Sequence, residues 1–269
     1  KLANTYDGTL TGKSLKWGGS LARTEATGYG CVYFAKNMLE SRGESLKGKK
    51  CTVSGSGNVS IYTIEKLYHL GALPITCSDS SGMILDEEGI DLELLKDLKE
   101  NQRARLTEYV KYRKNAKHIP VDSYPKGRNA VWSVPCFAAF PSATQNELNL
   151  EDAKELIKNG CVCVSEGANM PSTNEAVDFF VAQKIAYGPG KAANAGGVAT
   201  SQLEMAQNAS MVSWTFEEVD AKLEKIMKHI FDTASATAKE FGEPTNLVLG
   251  ANIAGFRRVA DAMIEQGIV

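Results

Sequence analysis

The spacing of hydrophobic residues changes at a glycine-rich turn near residue 55 of this chain. A short β-prone run, Cys51 to Ser54, precedes the turn, and after it apolar residues recur three and four positions apart as far as Gly71. The continuous run predicts a buried strand, and the later periodicity predicts an amphipathic helix that ends at Gly71. The pattern therefore predicts a strand, a turn at Gly55-Ser56-Gly57 and a helix.

The predicted turn has the composition of a phosphate-binding loop. Glycine lets the backbone approach a pyrophosphate, and the N–H groups at the start of the next helix, at Asn58 and Val59, face its negative charge. The third small position of the motif is Ser60 rather than glycine or alanine, and such a motif is weak alone. A second apolar run, Leu73 to Cys77, is followed by polar residues that include Asp79. Asp79 lies 22 residues beyond Gly57, where a dinucleotide-binding fold presents an acid to the ribose. This context supports a dinucleotide site.

Further strand-like and helix-like segments alternate along the middle of the chain. Polar residues follow the apolar runs, as in the cluster Ser142 to Glu147. Alternation of this kind predicts an α/β fold with a Rossmann-like, doubly wound and mostly parallel sheet, and ligands bind such sheets at the carboxyl ends of the strands. The segments are an apolar run over 131–140, a helix over 150–158 capped by Asn149, a strand over 161–165, a capping box at 172–175 with a helix through Phe180, and a strand over 185–187.

The charged segment from Asp86 to Tyr112 predicts one or two exposed helices over a sheet edge. Nearer the start, a glycine-rich stretch runs into a helix and places Arg23 and Thr27 where their side chains face a ligand. A capped helix with an incidental arginine is the alternative.

We expect residues 1–13 to be a lead-in from another domain and 14–210 to be the dinucleotide-binding domain.

The last part of the chain, 211–269, is expected to be a helical segment. A capping box at Thr215 to Glu218 begins one helical stripe, and a second stripe follows after Gly250. Apolar stripes face a core by default, so part of the surface that covers them is expected to lie outside this chain.

The amino-acid composition argues against several kinds of partner and site. The 30 basic and 32 acidic residues nearly balance, which argues against nucleic acid as a partner. No apolar run has the roughly 20 residues of a membrane span, and no signal-peptide pattern is present, so a cytoplasmic location is expected. The six cysteines form no C-x-x-C pair and only three histidines occur, so neither a disulfide framework nor a metal site is expected.

Several motifs in register resemble the hexameric glutamate dehydrogenases, and the resemblance covers nearly the whole chain. The sequence Ser78 to Gly82 is similar to the corresponding segment of the NADP-specific members of that family. The other motifs are 18–30, 55–59, 143–146, 166–171, 191–198 and 250–256.

The resemblance implies reversible oxidative deamination of L-glutamate to 2-oxoglutarate and ammonia, with hydride transfer to a nicotinamide cofactor, in an oxidoreductase that assembles as a homohexamer. Substrate-binding positions carried over from the family are Asn194, Val198 and Ser201. Cofactor-binding positions are Arg23, Thr27, Gly55, Ser56, Gly57, Asn58, Val59, Asp79, Ser80, Lys99, Arg105, Ala143, Thr144, Gln145 and Asn169.

NADP is favoured over NAD, because hydroxyls surround Asp79 and cations follow at Lys99 and Arg105. The bulk of Gln202, where the family commonly has glycine, is expected to lie beside the substrate pocket. The family's catalytic residues belong to an N-terminal substrate domain that is absent from this sequence, so no catalytic residue is assigned. The alternatives are a leucine, valine or phenylalanine dehydrogenase, and, for this segment alone, a non-catalytic NAD(P)-binding module.

Overall fold

A computed structural model describes residues 8–267. Positions 1–7 of the expected lead-in and 268–269 of the expected helical segment lie outside the described residues. The strands are β1 (Lys50–Val53), β2 (Leu73–Pro74), β3 (Thr76–Asp79), β4 (Gly82–Leu85), β5 (Lys117–Pro120), β6 (Ala138–Phe140), β7 (Cys163–Ser165) and β8 (Ala186–Gly188). The helices are α1 (Ala26–Glu40), α2 (Asn58–His69), α3 (Leu92–Lys96), α4 (Tyr109–Tyr112), α5 (Leu150–Lys158), α6 (Asn174–Ala182), α7 (Gly190–Ala193), α8 (Gly196–Ser210), α9 (Phe216–Glu240) and α10 (Leu247–Gln266).

Five parallel strands form the central sheet, in the order β2-β1-β6-β7-β8. The register pairs Cys51 with Pro74 on one side and with Ala138 on the other. From β1 the chain runs outward to β2 and later returns to β6 on the opposite side of β1. The order of strands therefore reverses between β1 and β6, and the predicted mostly parallel α/β sheet is confirmed.

Helices cover both faces of this sheet, because successive strand residues point to opposite sides. Cys163 and Ala186 belong to the core that contains α1 and α2, whereas Val164 and Tyr187 belong to the core with α5 and α6. A strand buried on both faces is uniformly apolar, which explains the continuous apolar runs in the sequence.

The segment after β3 contains the predicted helices, in two stretches. Helix α3 continues directly into a π-helical stretch, Asp97–Asn101, and α4 directly follows a 3-10 turn, Leu106–Glu108. Leucines of this segment, including Leu95, Leu98 and Leu106, are buried in the core next to α2. The sequence did not predict the second, antiparallel sheet that β3, β4 and β5 form.

Two local predictions needed correction. The apolar run 131–140 is a strand only over its last three residues, since Pro135 interrupts it and a 3-10 turn occupies Ala130–Ser133. The capping box expected at 172–175 is a simple cap, in which the Thr173 side chain accepts a hydrogen bond from the Ala176 N–H. The capping boxes at Asn149 and Thr215 are present.

The long helix α9 packs on the same core as the sheet. Phe231 meets Phe34 of α1 edge to face, with ring centroids 5.8 Å apart, and Leu223 and Met227 are fully buried. Four apolar side chains of α10 (Phe256, Val259, Met263 and Ile264) are exposed instead. Among residues 8–267, no helix combines the length and the apolar character needed to cross a membrane.

Candidate functional site

Two cavities open at the point where the strand order reverses. One, of about 690 Å³, lies between α1, α8 and the loops after β6 and β7, and the other, of about 680 Å³, lies along the glycine turn after β1. They share a wall formed by Val59, Ser142, Ala143 and Thr144. Open α/β sheets bind ligands at such a switch point, beyond the carboxyl ends of the strands. A ligand with two halves can therefore span both cavities.

The glycine turn is held by close contacts that exclude a side chain. Gly55 has φ +83°, and a Cβ there would lie 2.4 Å from Ser60 Oγ and 3.1 Å from Ala143 Cα. Gly57 is the N-cap of α2 and supplies no side-chain acceptor, so N–H groups of the first turn stay available to a ligand. The Ser60 hydroxyl donates to the Ser54 carbonyl at 2.7 Å. The serine at the third small position thus supports the turn.

The first cavity, between α1 and α8, brings together two residues that lie far apart in sequence, Arg23 and Ser201. Arg23 Nε donates to Ser201 Oγ at 2.9 Å, which places a cation and a hydroxyl side by side. Thr27 lies in the first turn of α1, and a Cβ at Gly197 would lie 2.4 Å from Thr27 Oγ1, so the start of α8 approaches α1 closely. Val198 is exposed at the cavity.

Two amide side chains connect the loops at the other side of this cavity. Asn194 Nδ2 donates to Asn169 Oδ1 at 2.7 Å and to the Ala168 carbonyl at 3.3 Å. Gln145 also lines the cavity. Gln202 is exposed and is not among the residues that line the cavity, and its place beside the substrate pocket stays a prediction.

At the far end of the second cavity, the Asp79 carboxylate is enclosed by its own neighbours. Its Oδ1 accepts from the N–H and hydroxyl of Ser81 at 2.8 and 2.5 Å, and its Oδ2 accepts from the Leu106 N–H at 3.0 Å and from Lys99 Nζ at 3.4 Å. Burial opposes ionisation, but these hydrogen bonds outweigh it and hold the pKa of Asp79 below its ordinary value. Arg105 donates to the Ser80 hydroxyl. One cation, Lys99, therefore pairs with the carboxylate, and a second, Arg105, lies at the neighbouring Ser80.

A half-buried carboxyl that was not singled out from the sequence, that of Glu147, lies under the shared wall. Glu147 Oε1 accepts from Ser54 Oγ at 2.9 Å and from the N–H groups of Ala143 and Thr144 at 2.9 and 3.3 Å. Burial raises the pKa of Glu147 to about 7, against the effect of these hydrogen bonds. The sequence did contain a signal for this residue, because Glu147 is an acid at the end of the polar cluster that follows a predicted strand.

The structure brings the site residues expected from the sequence to these two cavities. Only Lys99 and Arg105 lie outside the cavity walls, and they contact Asp79 and Ser80. Among the described residues, no group of three His, Cys, Asp or Glu side chains could hold a metal ion. The first cavity contains Arg23, Thr27, Gln145, Asn169, Asn194, Val198 and Ser201. The second contains Gly55, Ser56, Gly57, Asn58, Asp79 and Ser80, while Val59, Ala143 and Thr144 line both.

The similarity of this chain to known proteins extends over its whole length. The family model for glutamate/leucine/phenylalanine/valine dehydrogenases matches residues 18–267. The NADP-specific glutamate dehydrogenase of Helicobacter pylori strain J99 is 66% identical over 268 residues, covering 100% of this chain and 60% of that protein. The Escherichia coli K12 NADP-specific glutamate dehydrogenase is 49% identical, covering 100% of this chain and 59% of that protein.

Solved structures give the same fold. The crystal structure of Plasmodium falciparum glutamate dehydrogenase superposes with a TM-score of 0.94 at 48% identity, covering 100% of this chain and 57% of that one. The chain thus spans about 60% of the length of the curated relatives it matches.

Proposed function

The chain belongs to the glutamate/leucine/phenylalanine/valine dehydrogenase family, and we propose that it forms the NADP-binding part of a glutamate dehydrogenase. The whole protein would convert L-glutamate, water and NADP⁺ to 2-oxoglutarate, ammonium, NADPH and a proton, and would run the reverse amination. The observation that carries the proposal is the pair of cavities at the strand switch point, one along a glycine turn and one holding Arg23 and Ser201.

The cofactor would lie across the shared wall. The turn at Gly55 to Gly57 and the first N–H groups of α2 would bind the pyrophosphate, because that helix end has no side-chain cap. Arg23, Thr27 and the amides of Gln145 and Asn169 would hold the nicotinamide end in the first cavity. Bound NADP would supply the hydride acceptor, and these residues would orient it.

NADP is proposed over NAD because of the charges at the end of β3. An acid facing a ribose favours a free 2′-hydroxyl, but both oxygens of Asp79 are already engaged by Ser81, Leu106 and Lys99. Lys99 and Arg105 together carry one positive charge more than Asp79 neutralises, and this excess charge would attract a 2′-phosphate. Arginine is well suited to binding phosphate. The names of the Helicobacter and Escherichia relatives agree with this choice.

Removing one cation tests the choice of cofactor. We expect Arg105→Ala to weaken NADPH binding about tenfold or more, because a charge-assisted hydrogen bond contributes about 1.5–3 kcal/mol, and to leave NADH binding unchanged. Lys111→Ala is the matched control, since Lys111 is an exposed cation of the same segment that pairs with Glu108. Equal losses for NADPH and NADH would refute the 2′-phosphate role of Arg105.

The substrate is proposed to be glutamate because the substrate side of the cleft is polar. The Ser201 hydroxyl is held by the Arg23 guanidinium, a pair that suits a side-chain carboxylate and not the apolar side chain of leucine. Asn194 and Val198 would line the same pocket. No acid or base of this chain is assigned to the proton transfers.

A protein of the relatives' full length that carries this chain tests the substrate. With NADP, we expect kcat/KM for glutamate to exceed that for leucine by about a thousandfold or more, since a site built to pair a polar group rejects an analogue that lacks it. Faster oxidation of leucine would overturn the substrate assignment.

The same protein is proposed to be a cytoplasmic hexamer, and six free, buried cysteines suit a reducing compartment.

A further inference from the structure

The wall between the two cavities is a short loop, 142–144, that follows β6. Ala143 and Thr144 are exposed in it, and the loop contacts both halves of the cleft. Its position matters to the glycine turn too, because a Cβ at Gly55 would lie only 3.1 Å from Ala143 Cα and from the Ser142 carbonyl oxygen. Whatever fixes this loop therefore fixes the space on both sides of it.

One side chain fixes the loop from beneath. Glu147 Oε1 accepts the N–H groups of Ala143 and Thr144 together with the Ser54 hydroxyl. The Ser142 N–H donates to the same Ser54 oxygen at 2.8 Å. Ser54 follows the last residue of β1, so a single carboxyl group connects the ends of β1 and β6. These are the two strands between which the order of the sheet reverses.

The backbone of Glu147 is itself anchored. Its carbonyl accepts from Trp132 Nε1 at 3.2 Å and from Asn129 Nδ2 at 3.4 Å, and Trp132 is fully buried. The glutamate is thus held on the body of the domain, and its side chain reaches outward to the loop. A side chain with a fixed base and three accepted hydrogen bonds has one geometry, which is what a positioning residue requires.

The surroundings of Glu147 indicate that the length of its side chain and its acceptor oxygen matter for the loop, and that its negative charge does not. Its three donors are neutral groups, and the charged neighbours are acids: Glu166 at the end of β7 acts on it electrostatically, and Asp79 lines the same cavity. A permanent negative charge here would also repel the phosphates of a dinucleotide. A carbonyl oxygen at the same place serves the same hydrogen bonds without that repulsion.

We propose that Glu147 is a positioning residue for dinucleotide binding, which holds the loop 142–144 against the glycine turn by hydrogen-bond reach and does not need its charge. The inference rests on the proposed function, since it assigns the ligand of the two cavities to NADPH. It assigns to Glu147 a role in how tightly that ligand is held.

Two conservative variants separate reach from charge. Glu147→Gln keeps the length of the side chain and a carbonyl acceptor, so NADPH should bind within about threefold of the wild-type affinity. Glu147→Asp keeps the charge but is one methylene shorter and cannot serve the same three donors, so the dissociation constant should rise about tenfold or more. Glu151→Asp, an exposed site on α5, is the matched control and should bind as wild type.

The dissociation constants are measured by fluorescence titration of the chain with NADPH, and circular dichroism verifies that each variant is folded. Hydrogen exchange of the Ala143 and Thr144 amides adds a local readout, which should be faster in Glu147→Asp and unchanged in Glu147→Gln. A structural role with no bearing on the loop would move overall stability and leave these two amides as they are.

The outcomes distinguish this inference from the function it builds on. Tight binding by Glu147→Asp together with weak binding by Glu147→Gln would overturn it, because charge would then be what matters. Wild-type affinity in both variants would overturn it too. If the wild-type chain itself binds no NADPH, the proposed function fails, and the role of Glu147 fails with it.

Discussion

The close crossing of α1 and α2 gives a sharp prediction for Gly28→Ala. Gly28 lies in the first turn of α1, where a Cβ would meet the backbone of α2 at three atoms: Thr63 N at 2.5 Å, Val59 O at 2.7 Å and Tyr62 C at 2.8 Å. Ordinary contacts between carbon atoms lie about 3.5–4.0 Å apart. Because all three atoms are backbone, no change of rotamer relieves the contact, and the helices must separate by about 1 Å.

Two opposing effects set the magnitude. Alanine favours a helix over glycine by about 1 kcal/mol, and overpacking a tight interface costs about 1–3 kcal/mol, occasionally more. At Gly255, an exposed position of α10, no atom of a neighbouring element within residues 8–267 lies within 4 Å of the added Cβ, so only the favourable effect operates. Gly255→Ala should therefore stabilise the chain by up to about 1 kcal/mol. At Gly28 three backbone atoms obstruct the added Cβ, so the overpacking cost should lie at the upper end of its range, about 3 kcal/mol. After the helix preference of alanine is subtracted, we expect Gly28→Ala to destabilise the chain by about 2 kcal/mol.

Urea unfolding followed by circular dichroism measures both variants, with the free energy of unfolding obtained by linear extrapolation. Since Val59 also lines both cavities, separation of the helices should weaken NADPH binding by Gly28→Ala as well. If Gly28→Ala is as stable as wild type, or gains stability like Gly255→Ala, the close packing of α1 on α2 is refuted.

Two further predictions concern charge and capping. Burial raises the pKa of Glu147 from 4.5 to about 7, so the native state keeps this proton over a range in which the unfolded state has lost it. Wild-type stability should fall by about 2–3 kcal/mol between those pH values, at about 1.4 kcal/mol per pKa unit. Glu147→Gln should lack this fall, and a constant difference from wild type in urea unfolding at pH ~5 and ~8 would show that Glu147 does not titrate there. Thr215→Ala removes the cap of α9 and should cost about 1 kcal/mol in urea unfolding, whereas Thr215→Ser should cost little; equal stability of both would contradict the role of the cap.

Local patterns predicted the elements around the glycine turn because local physics determines them. The strand, the turn and the helix expected from 51–71 appear as β1, Gly55 with a positive φ, and α2. The helix expected over 150–158 has those bounds, since its capping box and its final turn are both encoded nearby. The turn's role in phosphate binding stays a prediction.

Long-range pairing explains what the sequence did not reveal. The apolar run from Leu73 to Cys77 divides at Ile75, where the chain leaves the parallel sheet, and its second part joins the antiparallel sheet with β4 and β5. Strand β3 pairs with the neighbouring β4, and β4 in turn pairs with the distant β5, for example Gly82 with Pro120. Pairing with so distant a segment leaves no periodic mark in either strand. The role of Glu147 was hidden for the same reason, because one of its partners, Ser54, lies 93 residues earlier.

Dinucleotide binding by this chain is tested most directly by calorimetric titration with NADPH and, in parallel, with NADH. We predict saturable binding of one NADPH per chain, with an affinity at least about tenfold higher than that for NADH, since Lys99 contacts Asp79, Arg105 contacts Ser80, and the oxygens of Asp79 are engaged. Equal or tighter binding of NADH would contradict the proposed cofactor choice. The absence of saturable binding to either would contradict the dinucleotide site itself.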